Sequence, residues 1–183
     1  MSIPVGLSTA CVVPGSVPDT FAIAQELGYD GVEIMVWSEK ASQDATRLAA
    51  LVEKHDQPVL AVHAPTLLVT RGVFGADPWD KVDRSIELAH YLEAPTVVLH
   101  PPFFWQTRYA RSFIAGVAQR EATTGIHLAV ENMFTWRPAT PTPRATSRPT
   151  RPPGTPVGQG YKSVTLDISH AATSGSDALA MAR

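Results

Sequence analysis

The chain has 183 residues and a formal net charge of −2, and 44% of its residues are hydrophobic, a composition typical of a globular protein. It contains no run of about 18 apolar residues, which predicts no membrane-spanning helix, and its N-terminus does not resemble a signal peptide. The single cysteine, Cys11, excludes an internal disulfide and a cysteine-rich zinc site and fits a reducing compartment. We therefore expect a cytoplasmic protein with no membrane association.

The charge is unevenly distributed along the chain. Residues 137–156 contain four arginines and no acid, so the remainder has 15 − 4 = 11 basic residues against 17 acidic ones. A nucleic-acid binder normally needs a basic face that neutralises phosphates. This balance argues against nucleic acid as a partner.

Hydrophobic runs and helical spacing alternate along the chain and predict strands and helices in turn. The predicted strands are residues 3–8, 31–36, 58–63, 95–100, 126–131 and 163–167. Four helices between them are predicted from the apolar stripes Phe21, Ala24, Leu27; Ala45, Leu48, Ala49, Val52; Trp79, Val82, Ile86, Ala89; and Ala110, Phe113, Ile114, Val117. Gly28 is expected to end the first helix, Asp77-Pro78 to begin the third, and residues 175–183 to begin a sixth.

Strands this apolar indicate a parallel sheet buried on both faces, and repeated βα units leave a barrel or an open doubly wound sheet. We favour an α/β fold of the (β/α)8 TIM-barrel type, forming one domain over residues 1–183. A complete barrel takes roughly 250 residues. The sequence therefore predicts an incomplete barrel of about six βα units.

One segment departs from this alternation. Residues 137–156 read RPATPTPRATSRPTRPPGTP, with seven prolines and no hydrophobic stripe. Proline cannot propagate a helix, so we predict an irregular segment rich in Pro, Arg and Thr over 137–160, low in complexity and disordered. It is either a tolerated insertion or sequence altered relative to a normal ancestor, such as an out-of-frame stretch.

Polar residues end the later predicted strands. His63, His100, Glu131 and Asp167 each close one strand, and His170 follows three residues after Asp167. In a (β/α)8 barrel these positions converge on one mouth, where active sites lie. Each residue alone is more often structural, but five at one rim favour a metal site. Histidine and carboxylate ligands suit zinc, manganese or another first-row divalent ion.

A weaker set of residues could form a pocket beside that site. Trp37, Phe103 and Trp105 follow strand ends and could equally be packing residues over the barrel. Glu33 lies near a strand terminus, and its side chain could equally face the outer helices.

Four motifs carry a resemblance: HAP at His63, HPP at His100, VEN at Glu131 and LDISHA from Leu166. They resemble the xylose isomerase-like barrel superfamily, which holds sugar phosphate isomerases and epimerases and the endonuclease IV (AP endonuclease family 2) nucleases. The resemblance runs from GLS at Gly6 to the end, apart from the proline-rich segment. It implies that His63, His100 and Glu131 hold one metal, that Glu131 bridges to a second ion held by Asp167, and that His170 belongs to a third.

The resemblance implies a reaction as well. We expect a sugar or sugar phosphate isomerase or epimerase that uses Mn, Co, Mg or Zn and transfers a proton through an enediolate, with Glu131 as its catalytic metal ligand. An endonuclease IV-like zinc phosphodiesterase acting on abasic DNA is the alternative, although the rim loops offer few cations. An inactive, truncated barrel is the third possibility, because the superfamily's later ligands have no counterpart here. Open sheet edges predict a homo-oligomer.

Overall fold

Strands and helices alternate along the chain as the hydrophobic pattern predicts. The computed structural model describes residues 3–65, 70–103, 105–133 and 155–183. The strands are β1 (Gly6–Ser8), β2 (Gly31–Met35), β3 (Val59–His63), β4 (Thr96–Leu99), β5 (His127–Glu131) and β6 (Val164–Thr165). The helices are α1 (Val17–Leu27), α2 (Ala45–His55), α3 (Pro78–Tyr91), α4 (Thr107–Thr124), α5 (Ile168–Ser174) and α6 (Ala178–Met181), with short 3-10 turns at Thr9–Val12 and Lys40–Gln43.

The six strands form one parallel sheet in the order β1-β2-β3-β4-β5-β6. The sheet is a curled half-barrel with helices on its outer side, which confirms the predicted incomplete TIM-barrel type. The main core lies between this sheet and the helices, where residues such as Phe21, Ile34 and Leu128 are fully buried.

Two of the predicted helix boundaries have clear local causes. Asp77 is the N-cap of α3, and its side chain accepts a hydrogen bond of 2.8 Å from the Trp79 backbone N–H. Pro78 occupies the first turn, where its missing N–H costs no helical bond. Gly28 ends α1 with φ at +74°, a left-handed conformation in which glycine avoids the strain of a Cβ.

The interface between α3 and α4 is built from aromatic rings. Phe113, 1% exposed, lies with its ring centroid 5.0 Å from Tyr109, 5.9 Å from Tyr161 and 6.1 Å from Trp79. A Cβ on Gly116 would lie 2.3 Å from the Trp79 ring, so the close approach of the two helices requires a glycine there. Four aromatic residues therefore hold α4 against its neighbours.

The ends of the chain differ from the prediction. β1 begins at Gly6, and residues 3–5 precede it as exposed coil. β6 spans two residues because the backbone of Asp167 bonds to the Asn132 side chain and Asp167 then caps α5. Over 175–183, Gly175 ends α5, and only the single turn α6 follows.

Three residues of the predicted apolar stripes are exposed. Leu27 is 66% exposed and Ile114 is 45% exposed, and Ala110 on α4 is also exposed. The buried stripe of α4 instead runs through Phe113, Val117 and Glu121, four residues apart. Helical spacing alone cannot tell how wide a strip of each helix its neighbours cover.

Most of the segment predicted to be irregular, residues 137–154, lies outside the described residues. Its last six residues are described and form a turn in which the Gln159 backbone N–H bonds to the Pro156 carbonyl at 3.1 Å. Within the described parts of the chain, no helix is long and apolar enough to cross a membrane. The cytoplasmic location and the homo-oligomer stay predictions.

Candidate metal centre

Strand alternation places three polar side chains on the inner face of the sheet, at the ends of β3 and β5 and directly after β4. Val62, Leu99 and Val130 are buried in the core beneath the helices. The residue that follows each of them must point to the opposite face, because side chains alternate along a strand. His63, His100 and Glu131 therefore turn inward together at the carboxyl end of the sheet.

These three side chains meet around one carboxylate oxygen. Glu131 Oε2 lies 2.8 Å from His100 Nε2 and 3.3 Å from His63 Nε2. All three residues are buried, with exposures of 6% for His63, 8% for His100 and 4% for Glu131. One potential ligand atom from each lies within 4.8 Å of the others, a spacing at which the three could share one ion.

Asp167 and His170 form a second group with the same glutamate. His170 Nδ1 is 3.3 Å from Glu131 Oε1 and 3.7 Å from Asp167 Oδ2. Asp167 Oδ1 caps α5 by accepting a hydrogen bond of 2.7 Å from the His170 backbone N–H. His170 thus lies in the first turn of α5, directly after its N-cap. All five predicted ligands converge at one rim, with Glu131 common to both groups.

Burial and the histidine contacts act in opposite directions on the ionisation of this cluster. Burial acts to raise the pKa of Glu131, but hydrogen bonds from His100 and His63 outweigh it and hold that pKa far below its ordinary value. Burial acts to lower the pKa of His63, but the contact with Glu131 prevails and raises it. For His100 burial prevails, and its pKa is lowered. Glu131 is therefore an anion throughout the neutral pH range. Of the two histidines beside it, His100 favours its own neutral form.

The donor set fits a divalent metal ion. His63 Nδ1 lies 3.3 Å from the Ala64 carbonyl, to which its N–H can donate, so a bound ion would take the place of the Nε2 proton that faces Glu131. Metal-bound histidines usually donate a hydrogen bond from their second ring N–H in this way. His100 Nδ1 is buried without a partner among the described residues, so only its Nε2 faces the cluster. Two imidazole nitrogens and a carboxylate that is ionised at neutral pH suit zinc, manganese or cobalt.

Asn132 is a site residue that the sequence analysis missed. Its side chain accepts a hydrogen bond of 2.6 Å from Asp167 N–H and donates one of 2.9 Å to the Asp167 carbonyl. Its own carbonyl lies 2.9 Å from His170 Nδ1. Asn132 is buried, and these bonds align Asp167 and His170 with Glu131, the residue next to it in the chain. The VEN motif contained this signal, but only the fold shows what the amide contacts.

We expect Asn132→Ala to lower the affinity of the chain for Co²⁺ by about 10–100-fold, the usual effect of losing a residue that orients metal ligands. Asn132→Asp keeps the acceptor for Asp167 N–H and loses the donor, so its effect should be smaller. The visible absorption of bound Co²⁺ measures both the affinity and the change in ligand geometry. An unchanged spectrum and affinity in Asn132→Ala would contradict this positioning role.

The weaker pocket candidates divide into three groups. Phe103 and Trp105 stack in parallel, with ring centroids 4.6 Å apart, and both line a cavity of about 450 Å³ that also reaches His100. Glu33 accepts a hydrogen bond of 2.7 Å from Ser8 Oγ and lies close enough to His63 to raise its pKa, so it faces the barrel interior. Trp37 is 36% exposed and is not among the residues that line this cavity.

A parallel β/α half-barrel with a histidine and carboxylate cluster at the carboxyl ends of its strands defines a class of TIM-barrel proteins with a potential metal centre. Residues 21–148 match the family described as xylose isomerase-like TIM barrel (AP endonuclease family 2). The chain belongs to this family. It is 44% identical to an uncharacterized protein of Mycobacterium leprae, covering 99% of this chain and 70% of the relative, and 44% identical to one of Mycobacterium tuberculosis, covering 100% and 70%.

Solved structures share the fold at low sequence identity. An AP endonuclease, family 2, of Brucella melitensis is 18% identical with a TM-score of 0.53, covering 72% of this chain and 56% of that one. The 3-keto-D-glucoside 4-epimerase YcjR of E. coli is 13% identical with a TM-score of 0.54, covering 75% and 59%. The chain thus spans just over half the length of these structures, and the likeness shows the fold alone.

Proposed function

We propose that the chain is part of a divalent-metal-dependent isomerase or epimerase acting on a sugar or sugar phosphate. The observation that carries the proposal is the buried His63–His100–Glu131 cluster beside the cavity walled by Phe103 and Trp105. A family whose members commonly bind divalent metals supports the cofactor, and a protein of similar fold from E. coli is named as a 3-keto-D-glucoside 4-epimerase, which supports the reaction class. Fold alone does not decide function, so the site carries the argument.

Each residue has a definite task in this proposal. A bound divalent ion would supply Lewis-acid polarisation of the substrate oxygens. His63, His100 and Glu131 would hold that ion, and burial of the cluster keeps bulk water away from their ligand atoms. Asp167 has one carboxylate oxygen, Oδ2, that its capping bonds leave available, and this oxygen can accept and return a proton. Asn132 keeps Asp167 in register with Glu131.

An endonuclease IV-like zinc phosphodiesterase is the second candidate. It is favoured by one observation, the sharing of Glu131 between two groups of ligands, which suits a cluster of ions that activates water. The surroundings argue against it, because DNA enzymes need several cations for phosphates. Of the two cations among the described residues that line the cavity, Lys81 already donates its hydrogen bonds to backbone carbonyls. An inactive half-barrel remains the third candidate.

Hydrogen exchange distinguishes these candidates. With Mn²⁺ or Co²⁺ in D₂O, we expect the chain to introduce deuterium into members of a panel of ketoses and ketose phosphates at the carbon beside the carbonyl, as detected by proton NMR. Addition of EDTA should stop the exchange. Cleavage of an abasic-site oligonucleotide without exchange in any sugar would favour the nuclease. Neither reaction in a chain that binds the metal would favour the inactive half-barrel.

A further inference from the structure

The cavity beside the metal cluster has a positively charged lining. Its described charged residues are Arg71 and Lys81, and no acidic residue is among those that line it. The volume of about 450 Å³ lies within the usual range for small-molecule sites, roughly 300–1,000 Å³. An anionic group would therefore meet only favourable charge on this side of the cavity.

Lys81 contributes to the cavity indirectly. Its Nζ donates hydrogen bonds to three backbone carbonyls of one turn, those of Thr70, Arg71 and Val73. An ammonium group has three N–H donors, so all of them are used within the protein. Lys81, 9% exposed, thus holds the backbone of Arg71 in place beside the cavity.

Arg71 is the cation that remains available. Its guanidinium makes no hydrogen bond or ion pair with any residue in the described parts of the chain, and the side chain is exposed where it lines the cavity. Guanidinium binds phosphate or carboxylate through two parallel N–H donors. The cavity is lined by both His100, at the metal cluster, and Arg71, so a ligand that fills it would contact both.

One wall of the cavity is aromatic and held in place. The parallel rings of Phe103 and Trp105 form it. The Phe103 N–H donates to Gln106 Oε1 at 2.8 Å, and the Gln106 N–H donates to the Phe103 carbonyl at 2.9 Å. Such a wall suits the C–H face of a sugar chain or ring. The lining therefore combines one proposed metal ligand, His100, with an aromatic surface and a guanidinium.

We propose that this cavity selects an anionic sugar, whose phosphate or carboxylate pairs with Arg71 while its opposite end lies at the His63–His100–Glu131 cluster. The placement of the other end of the sugar at the metal cluster rests on the proposed function. The placement of the anion beside Arg71 rests on the cavity lining alone. Lys81 acts as a positioning residue for Arg71.

The first test uses inorganic phosphate and the whole chain in EDTA, so that no metal contributes. We expect phosphate to bind the parent chain and Arg108→Gln, and Arg71→Gln to weaken binding at least about tenfold, the effect of losing a hydrogen-bonded charge pair. Arg108 is a matched control because it is an exposed arginine on α4 that does not line the cavity. Phosphorus NMR line broadening measures the binding. Equal binding by Arg71→Gln, or no binding by the parent, overturns the inference.

The second test identifies the anion with three probes that share carbons 1–5: D-glucose, D-glucose 6-phosphate and D-glucuronate. With Mn²⁺ present, we expect both anionic probes to bind at least about tenfold more tightly than glucose by calorimetry, and Arg71→Gln to remove the difference. The anionic probe that binds more tightly identifies the preferred group as phosphate or carboxylate. Equal affinity for all three overturns anion selection, even where hydrogen exchange supports the isomerase. Arg71-dependent selection without hydrogen exchange in any sugar leaves the cavity assignment intact and contradicts the proposed reaction.

Discussion

We expect Glu131→Gln to lower the affinity of the chain for Mn²⁺ or Co²⁺ by at least about 100-fold, since the loss of residues that merely orient ligands already costs about 10–100-fold. Glutamine keeps the size of the side chain and removes the negative charge that lies between His63 and His100. A divalent ion would then be held by two imidazole nitrogens and a neutral amide in place of a carboxylate. Calorimetric metal titration of the parent and the variant measures the difference.

The control is a second buried glutamate outside the site. Glu121 on α4 accepts a hydrogen bond of 3.0 Å from the Leu128 backbone N–H and is similarly buried. Glu121→Gln retains an oxygen that can accept this bond, so its metal affinity should match that of the parent. Any hydrogen exchange into sugar substrates should disappear in Glu131→Gln and persist in Glu121→Gln. Equal metal affinity in all three proteins would contradict the assignment of Glu131 as a ligand.

The second large effect concerns stability. We expect Phe113→Ala to lower the free energy of unfolding by about 3–5 kcal/mol, the usual cost of removing a buried aromatic ring and leaving a cavity. For a chain of this size that corresponds to a decrease of about 10 °C in Tm. Phe113 contacts Tyr109, Trp79 and Tyr161, so these rings lose a common neighbour. Thermal melts followed by circular dichroism measure the shift.

Ile114→Ala is the matched control, one residue further along the same helix. Ile114 is 45% exposed, and its replacement should cost about 1 kcal/mol or less because much of its apolar surface is already in water. Equal losses from the two variants would show that the outer face of α4 is covered in solution. The pair thus tests which side of the helix faces the core.

Much of the fold follows from local pattern. Parallel strands that are buried on both faces have short, nearly continuous apolar sequences. Such apolar sequences predicted β2, β3, β4 and β5. Asp77-Pro78 and Gly28 predicted helix ends because capping depends on the chemistry of one or two residues. The convergence of the five rim residues followed from the geometry of parallel β/α folds.

Contacts between distant segments could not be predicted in this way. The short β6 depends on a side-chain amide from the end of β5, because Asn132 bonds to the backbone of Asp167, 35 residues later. The direction of the Glu33 side chain depended on which face of β2 the helices cover. In the fold, the Ser8 hydroxyl on β1 donates a hydrogen bond to it. Helical spacing likewise identified Phe113 and Ile114 as equals, and only packing separates them.

Hydrophobic periodicity and strand direction are local properties, so the class of fold, the order of its elements and the rim that carries the polar residues could be predicted from the amino acids alone. Which atoms meet at that rim became visible in the folded chain: Glu131 is shared by two groups of side chains, Asn132 aligns them, and one cavity is lined by both His100 and Arg71. These depend on distances between strands far apart in the chain, which the curvature of the sheet sets and no local pattern encodes.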